Sequence, residues 1–469
     1  MIFLRIENSK MLFRVKKMTE SIVLGASSLG ALIFLIILRV PVAYAMILVG
    51  GLGIMSVDGI EPVLNQLKTL AYGQFSIYDL TVVPLFILMG ALASRTGLSA
   101  TLFRAANAWL GWLRGGSAMA AISACAGFGA ICGSSIATAS TMGRVALPEL
   151  RKYNYSASLS SGVLAAGGVL GILIPPSVVI IIYALIVEVN IVSMFTAAIL
   201  PGLLAIFLFL GTIAILVAIW PDAAPRTQKT DKAERKKATI ALIPILFVFI
   251  VVLGGLYAGF YNPTPAASVG VGLVLLLGLL QKKLRLKDIK QAILETAGTS
   301  GMIYLILLGA ELMKIYMSRI GLPQATAEWI LTAGFEPVAV LIFLLLGMIL
   351  LGCLLDSLSM ILLIIPFFWP VLVELNGGLY VVAEMAGYGM STQDLKIWFG
   401  ILALVVVEVG LITPPIGMNV FVIASLADDI DINDIFRGVA PFFFAELIRI
   451  AILFSLPILA LGLPSMLSG

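Results

Sequence analysis

The sequence predicts an all-α protein that crosses a membrane many times and consists of two related halves. Hydrophobic residues occupy 61% of the 469 positions and charged residues only 12%, which is about half the charged share of an ordinary soluble domain. Uncharged runs such as 153–187 exceed the roughly 20 residues that a helix needs to span a bilayer. Short motifs recur in the two halves, and each half contains an apolar segment that is interrupted by a proline pair.

The number of spans follows from the length of the uncharged runs. The run 238–281 is long enough for two spans because Pro263 and Pro265 can form a turn inside it, since proline lacks an amide donor and restricts the residue before it. Counting in this way along the chain predicts about eleven spans. Two further apolar segments have flanks on one side of the membrane, so we expect them to be re-entrant hairpins.

The composition excludes several kinds of chemistry. The chain contains no histidine, which rules out HExxH metalloprotease sites, Ser-His-Asp triads and histidine proton relays. Cys125, Cys132 and Cys353 lie in apolar segments, and an odd, buried set argues against a disulfide framework. The net charge of +4 does not indicate nucleic-acid binding, because Lys and Arg collect in the cytoplasmic loops of membrane proteins.

The charges of the loops predict the orientation of the chain. The loops 226–237 and 282–290 are rich in Lys and Arg and are therefore predicted to be cytoplasmic, whereas the acidic loop 374–394 is predicted to be external. Following the spans backwards places the N-terminus outside, which conflicts with the basic residues of 1–17. We therefore expect residues 1–17 to be a leader or a mis-assigned start, with the first span beginning at Met18.

An internal repeat relates the two halves. The matched pairs, in chain order, are SRTGL at 94–98 with SRIGL at 318–322, Ser135 with Ser357, Pro148 with Pro370, and GILIPP at 171–176 with GLITPP at 410–415. The loop charges place the first SR-x-GL motif inside and the second outside, so the halves are predicted to have opposite orientations. Inverted repeats are typical of secondary transporters, whose binding sites lie where the repeats meet.

These observations give the expected organisation of the chain. The expected segments are the leader or mis-assigned start at 1–17, the first half at 18–225, a cytoplasmic loop at 226–238 and the second half at 239–469. The expected hairpins lie near 117–142 and near 337–373, and the expected broken helices lie near 160–187 and near 397–426. Each half thus combines spans with one re-entrant hairpin and one proline-broken helix.

Each proline pair has a physical consequence at membrane depth. Two missing amide donors leave the carbonyls near 171–174 and 410–413 without helical partners. A desolvated cation such as Na⁺ is a suitable partner, and the small residues Ser134, Ser135 and Ser357 could supply further oxygens. The alternative is a proline kink that neighbouring helices satisfy, or small residues that only allow close helix packing. The matched positions of the two pairs favour the cation.

Charged residues inside apolar runs are functional candidates, because burying them is costly. Glu311 and Lys314 are three residues apart on one helix face, so we expect a structural ion pair. Asp356 has no local basic partner and is expected to bind an ion or substrate, with helix capping as the alternative. Glu408 either orients the broken helix or carries charge. Arg319 is either a membrane anchor or a ligand for a substrate carboxylate or sulfonate.

Five motifs are informative when they are taken together. They are Gly133-Ser134-Ser135-Ile-Ala137-Thr, Leu170-Gly171-x-x-Ile-Pro175-Pro176-Ser177, Pro201-Gly202, Asp356, and Glu408-x-Gly410-Leu-Ile-Thr413-Pro414-Pro415-x-Gly417. With these motifs the chain resembles the large membrane subunit of tripartite ATP-independent periplasmic (TRAP) transporters. The resemblance covers nearly the whole chain after Met18. It implies an inner-membrane transporter, not an enzyme, in which a domain with two hairpins moves like an elevator and Na⁺ is the coupling ion.

The resemblance also implies partners, a substrate class and site residues. A periplasmic solute-binding protein would deliver an organic acid anion, of the dicarboxylate, sugar acid or sulfonate class, and a separate small four-helix subunit would complete the membrane part. One implied Na⁺ site contains Ser134, Ser135, Gly171 and Pro175, and the other contains Asp356, Gly410, Thr413 and Pro414. The implied anion site contains Arg319, Asp356 and Ser135. No cofactor and no other metal is expected.

Three other functions fit parts of the sequence. A stand-alone anion or dicarboxylate symporter of similar inverted-repeat design would need neither a small subunit nor a binding protein. An intramembrane aspartyl protease needs two facing aspartates, and Asp356 is the only candidate at that depth. A structural or receptor-like membrane protein would leave the matched proline pairs unexplained.

Overall fold

The computed structural model describes residues 2–226, 229–427 and 429–467, with side chains from residue 16 onward. The described residues form helices and turns without strands. In chain order the helices are α1 (Ile2–Ile37), α2 (Val42–Asp58), α3 (Ile60–Phe75), α4 (Val82–Arg95), α5 (Leu98–Leu110), α6 (Gly116–Cys132), α7 (Ser135–Lys152), α8 (Ala157–Leu173), α9 (Val178–Ile186), α10 (Ile191–Ile219), α11 (Lys232–Phe249), α12 (Gly255–Tyr257), α13 (Pro263–Leu280), α14 (Leu286–Arg319), α15 (Leu322–Thr332), α16 (Pro337–Gly352), α17 (Ser357–Asn376), α18 (Thr392–Gly410), α19 (Met418–Ala424), α20 (Ile432–Ser455) and α21 (Ile458–Leu467). The chain is therefore all-α, as the sequence predicts.

The apolar helices are long enough for a multi-pass membrane protein. Within the described residues, eight helices could cross a membrane, or ten when each of two bent helix pairs counts as one span. One bent pair is α8 with α9, at 44°, and the other is α15 with α16, at 119°. The count is below the expected eleven spans; α2, for example, is apolar but has only 17 residues and is not among those long enough.

The chain forms two compact units that alternate along the sequence. The first unit comprises Met1–Ile77, Gly301–Leu346 and Ile361–Leu395, and the second comprises Tyr78–Ser300, Gly347–Met360 and Lys396–Gly469. This division groups residues by packing, whereas the predicted halves 18–225 and 239–469 group them by sequence similarity. The repeat therefore stays a prediction about how the two halves are related.

Helices of the first unit approach each other through small residues. A Cβ on Gly50 in α2 would lie 2.9 Å from the amide nitrogen of Met313 in α14. In α1, the Ser21 hydroxyl donates a hydrogen bond of 2.6 Å to the carbonyl of Ile320. Small residues and hydroxyls at helix contacts are typical of membrane proteins, because lipid supplies no hydrophobic force that drives helices together.

The predicted ion pair on α14 is present in the first unit. The Lys314 ammonium lies 3.6 Å from the Glu311 carboxylate, with the i, i+3 spacing that the sequence indicates. The pair is partly exposed in the protein, so it explains both charges without a transport role. This expectation is confirmed.

The core of the second unit is built around α8. This helix packs against α6, α7 and α20, and its residues from Leu159 to Leu173 are all buried. The close approach of α8 to α20 requires glycine, because a Cβ on Gly162 would lie 2.2 Å from the carbonyl carbon of Gly438. A helix buried on all sides inside a membrane protein forms a rigid support for the segments that follow it.

The three cysteines are buried, as predicted. Cys125 and Cys132 belong to the core of the second unit, and Cys353 is 2% exposed in the turn after α16. A buried free cysteine behaves as a small apolar side chain. They are packing residues in the described structure.

Candidate functional site

The predicted hairpin of the first half is formed by α6 and α7, which reverse at residues 132–135, named here the first tip. Gly133 has φ of 63°, a left-handed conformation that glycine adopts without a Cβ clash. Ser134 then caps α7, because its hydroxyl accepts a hydrogen bond of 3.4 Å from the Ala137 amide. The glycine turn and the serine cap explain why the chain breaks here and restarts as a helix.

The first tip packs against α8 just before its proline pair. A Cβ on Gly129 would lie 2.5 Å from Cα of Gly171, so the two backbones touch. A Cβ on Gly171 would lie 2.8 Å from the Ser134 carbonyl oxygen and 2.7 Å from Oγ1 of Thr138. The structure therefore brings Ser134 and Gly171 together, two of the residues predicted for one Na⁺ site, and adds Thr138 to them.

The proline pair of the first half lies beside the same tip. Helix α8 ends at Leu173 and α9 starts at Val178, within the predicted segment 160–187. A Cβ on Gly133 would lie 3.2 Å from the carbonyl oxygen of Pro176. Pro175, the fourth residue predicted for this site, is buried in the break.

Two buried side-chain oxygens on residues near the first tip have no hydrogen-bond partner. Within the described part of the chain, Oγ1 of Thr138 and Oδ1 of Asn419 are buried and have no partner. The side-chain nitrogen of Asn419 donates a hydrogen bond of 3.2 Å to the carbonyl of Ala165. A Cβ on Gly168, one turn before Gly171, would lie 2.8 Å from this nitrogen. Unpaired buried oxygens are costly, and a hard cation with oxygen ligands would satisfy them.

The second tip, residues 352–357, packs against the other broken helix. A Cβ on Gly410, the last residue of α18, would lie 2.5 Å from Cα of Gly352 and 2.9 Å from its carbonyl oxygen. In the first half the corresponding contact joins Gly129, in the last turn of α6, to Gly171, and Gly171 and Gly410 each lie four residues before a proline pair. The chain restarts as α19 at Met418, within the predicted segment 397–426.

The other residues predicted for the second Na⁺ site have local roles in the described structure. A carboxylate oxygen of Asp356 accepts a hydrogen bond of 3.1 Å from the Ser359 amide and so caps α17, which is the alternative that the sequence left open. The Thr413 hydroxyl donates a hydrogen bond of 2.6 Å to the Val409 carbonyl. Asp356 and Thr413 are partly exposed and Pro414 is exposed, so all three remain accessible to a ligand.

Glu408 links the two tips. Its fully buried carboxylate accepts a hydrogen bond of 2.6 Å from the Ser135 hydroxyl on one oxygen and one of 3.2 Å from the Ser357 hydroxyl on the other. Ser135 is the last residue of the first tip and Ser357 is the last residue of the second. The sequence predicts that Glu408 either orients the broken helix or carries charge. Its two hydrogen bonds to the tips fit the orienting role.

Sequence analysis missed a second group of buried charges. On α20, Glu446 and Arg449 form an ion pair, and both side chains are fully buried. Their charges also act electrostatically on Glu408. The spacing of these two residues could have predicted the pair, since an acidic and a basic residue three positions apart in an apolar helix indicate a buried ion pair.

Arg319 has an ion-pair partner that sequence analysis did not identify. Its guanidinium donates to the carboxylate of Asp58 at the end of α2, and both side chains are about one-third exposed. This pair lies in the first unit, whereas Asp356 and Ser135 lie in the second. The guanidinium is therefore engaged before any substrate binds.

The chain is similar to one protein family over most of its length. Residues 29–459 match the family model described as the DctM component of the tripartite ATP-independent periplasmic transporter. The chain is 30% identical to the C4-dicarboxylate TRAP transporter large permease protein DctM of Pseudomonas aeruginosa, over 86% of this chain and 91% of that protein. It is 28% identical to the sialic acid TRAP transporter large permease protein SiaM of Vibrio cholerae, over 85% and 88%.

A solved structure shares the fold. The crystal structure of the Alcanivorax borkumensis YdaH transporter, described as having an unusual topology, superposes with a TM-score of 0.61. The match covers 85% of this chain and 89% of that chain, at 15% sequence identity. At this level of identity the likeness concerns the fold alone.

Proposed function

This chain belongs to the DctM family, the large permease component of tripartite ATP-independent periplasmic transporters, and we propose that it imports an organic acid anion by symport with Na⁺. It is a multi-pass protein of the bacterial inner membrane and a transport protein rather than an enzyme. The coupling ion, the substrate class and the site residues are proposals, and each is argued below.

The observation that carries the Na⁺ proposal is the set of oxygens around the first tip. The Ser134 carbonyl and the unpaired, buried hydroxyl of Thr138 both lie against Gly171. Na⁺ binds hydroxyl and carbonyl oxygens, and the break at Pro175 frees further carbonyls at the same place. We therefore assign Ser134, Ser135, Gly171 and Pro175 to one Na⁺ site and add Thr138 as a further ligand.

The second Na⁺ site is proposed around the second tip. The contact between Gly352 and Gly410 supports this assignment because it repeats the packing of Gly129 on Gly171. Asp356, Thr413 and Pro414 are accessible beside it. Asp356 caps α17 with one carboxylate oxygen, and its other oxygen would be the ligand for the ion.

The anion is proposed to bind between the two Na⁺ sites, beside Ser135 and Asp356 as the resemblance implies. Ser135 already donates its proton to Glu408 and two carboxylates repel each other, so both residues would act on the anion through a bound Na⁺. Arg319 pairs with Asp58 within the first unit, so its assignment to substrate rests on the family resemblance alone. The two relatives described above are named for a C4-dicarboxylate and for sialic acid, both organic acids. This supports an organic acid anion of the dicarboxylate, sugar acid or sulfonate class.

Both tips lie in the second unit with α8, α9, α19 and most of α18, whereas 337–346 and 361–373 of the second predicted hairpin belong to the first unit. A movement in which the two tips travel together is therefore proposed from the family resemblance. The Glu408 carboxylate would keep the tips in register during such a movement, because it holds a hydroxyl from each. A small membrane subunit and a periplasmic solute-binding protein are the proposed partners.

Uptake by proteoliposomes tests the proposed function. With the chain, its small subunit, the loaded binding protein and an inward Na⁺ gradient all present, we expect uptake of the labelled anion. Omitting any one of the four should reduce uptake to background. Full uptake without Na⁺ would contradict the coupling, and full uptake without the subunit and binding protein would indicate a stand-alone symporter.

A further inference from the structure

A basic pocket lies where α11 starts its path into the membrane. It is a cavity of about 320 Å³ lined by Trp109, Lys232, Arg235, Lys236, Thr239 and Ile240. All of these residues belong to the second unit. The proposed Na⁺ and anion sites do not include any of them, so the pocket needs its own explanation.

Cations lie over the two tryptophans at this place. The Arg235 guanidinium carbon is 5.1 Å from the ring centroid of Trp109, and the Lys229 ammonium is 5.3 Å from that of Trp112. The indole nitrogen of Trp109 donates a hydrogen bond of 3.0 Å to the Thr239 hydroxyl, which fixes the ring against α11. These cation–π contacts hold the basic side chains beside the pocket and leave their other donors free.

The positive charge of the pocket is not neutralised by the protein. Among the described residues, no ion pair within 4.0 Å includes Lys232, Arg235 or Lys236, and the neighbouring Glu234 forms none either. Nε of Arg235 is buried there without a hydrogen-bond partner. An anion in the pocket would supply the missing acceptor and the missing charge.

The position of the pocket along the chain places it at headgroup depth. The membrane span Lys232–Tyr257 begins with the basic residues and becomes apolar after Lys237. Tryptophan is enriched at the boundary between membrane and water, and Trp109 and Trp112 are each about half exposed. Because the basic loop 226–237 is predicted to be cytoplasmic, the pocket faces the cytoplasmic leaflet.

We propose that the basic pocket binds the phosphate headgroup of an anionic phospholipid from the cytoplasmic leaflet. Basic pockets at the cytoplasmic ends of membrane helices recognise such headgroups. The exposed apolar surfaces of Trp109 and Ile240 favour a lipid over a soluble phosphate, because they can contact the glycerol and upper acyl carbons. The lysines and Arg235 would pair with the phosphate oxygens.

The double variant Lys232→Ala/Lys236→Ala tests this proposal. Both side chains are exposed, so the variant should fold normally. Each basic residue near an anionic headgroup contributes roughly a fivefold change in affinity, which predicts binding about 25-fold weaker in the double variant. The matched control is Lys287→Ala/Lys290→Ala, which removes two exposed charges from the other basic loop.

Native mass spectrometry of the purified full chain, mixed with phosphatidylglycerol or phosphatidylcholine, measures the effect. We expect the wild type and the control variant to retain phosphatidylglycerol in preference to phosphatidylcholine, and the Lys232/Lys236 variant to lose that preference. Equal loss in both variants, or no lipid preference in the wild type, would overturn the proposal. Displacement of the lipid by an equal concentration of glycerol 3-phosphate would also overturn it, because a soluble anion would then be the ligand.

Discussion

Replacing Arg449 by methionine is expected to destabilise the protein by about 3–5 kcal/mol, because Glu446 would remain as a buried charge without a partner. Both side chains are fully buried on α20, so water cannot compensate for the lost guanidinium. The double variant Glu446→Leu/Arg449→Met should recover most of this loss, since two apolar side chains of similar volume can fill the same space. The measurement is the midpoint of thermal unfolding of the purified protein in detergent.

The same helix supplies the control for this prediction. Arg437 pairs with Asp434 at 3.4 Å, with the same i, i+3 spacing, but its side chain is 80% exposed. Exposed pairs of this kind contribute about 0–1 kcal/mol, so Arg437→Met should leave the midpoint nearly unchanged. Equal shifts for Arg437→Met and Arg449→Met would mean that burial does not decide the effect.

The second large effect is expected at Glu408. Glu408→Ala removes the acceptor of both tip hydroxyls and leaves Ser135 and Ser357 as buried donors, so uptake should fall to background. Glu408→Gln retains one acceptor oxygen and should reduce uptake at least about tenfold, since a hydrogen bond to a charged group contributes about 1.5–3 kcal/mol. Uptake rates are compared per amount of protein in the membrane.

Two further variants separate the linking role of Glu408 from a general loss of charge. Glu311→Gln neutralises a carboxylate on another apolar helix and should leave uptake close to the wild type. Ser135→Ala should reduce uptake by a smaller factor in the Glu408→Gln background than in the wild type, because the two residues share one interaction. Wild-type uptake by Glu408→Gln would show that the tips do not depend on this carboxylate.

The sequence predicts those parts of the fold that local chemistry decides. Gly133, Ser134 and the two proline pairs break helices through their own backbone properties, so the breaks fall in the expected segments. The pair of Glu311 and Lys314 is also local, because one helix turn joins them. The helix α3, which has no buried residue, was not predicted, and neither was the division into two units, which depends on packing between distant segments.

The links within the site could not be predicted, because they join residues that are far apart in sequence. Glu408 is 273 residues from Ser135, and Arg319 is 261 residues from Asp58. No periodicity or motif connects such partners. Thr138 was missed for a different reason: a buried threonine in a helix normally bonds its own backbone, and only the structure identifies this hydroxyl as unpaired.

Binding of radioactive Na⁺ to the purified chain, with K⁺ as the background ion, tests the central claim most directly. The decisive variant is Thr138→Val, which keeps the shape of the side chain and removes the buried, unpaired hydroxyl. The control is Thr196→Val, which removes a buried hydroxyl that is already bonded to the Ser193 carbonyl at 2.9 Å. We expect saturable binding to the wild type and the control. In Thr138→Val the Na⁺ affinity should be at least about tenfold lower, because one ligand of a charged group is lost.

Without Na⁺, Thr138→Val should be as stable as the wild type or more so, because it no longer buries an unpaired hydroxyl. Unchanged Na⁺ affinity in Thr138→Val, or no saturable binding to the wild type, would contradict the account.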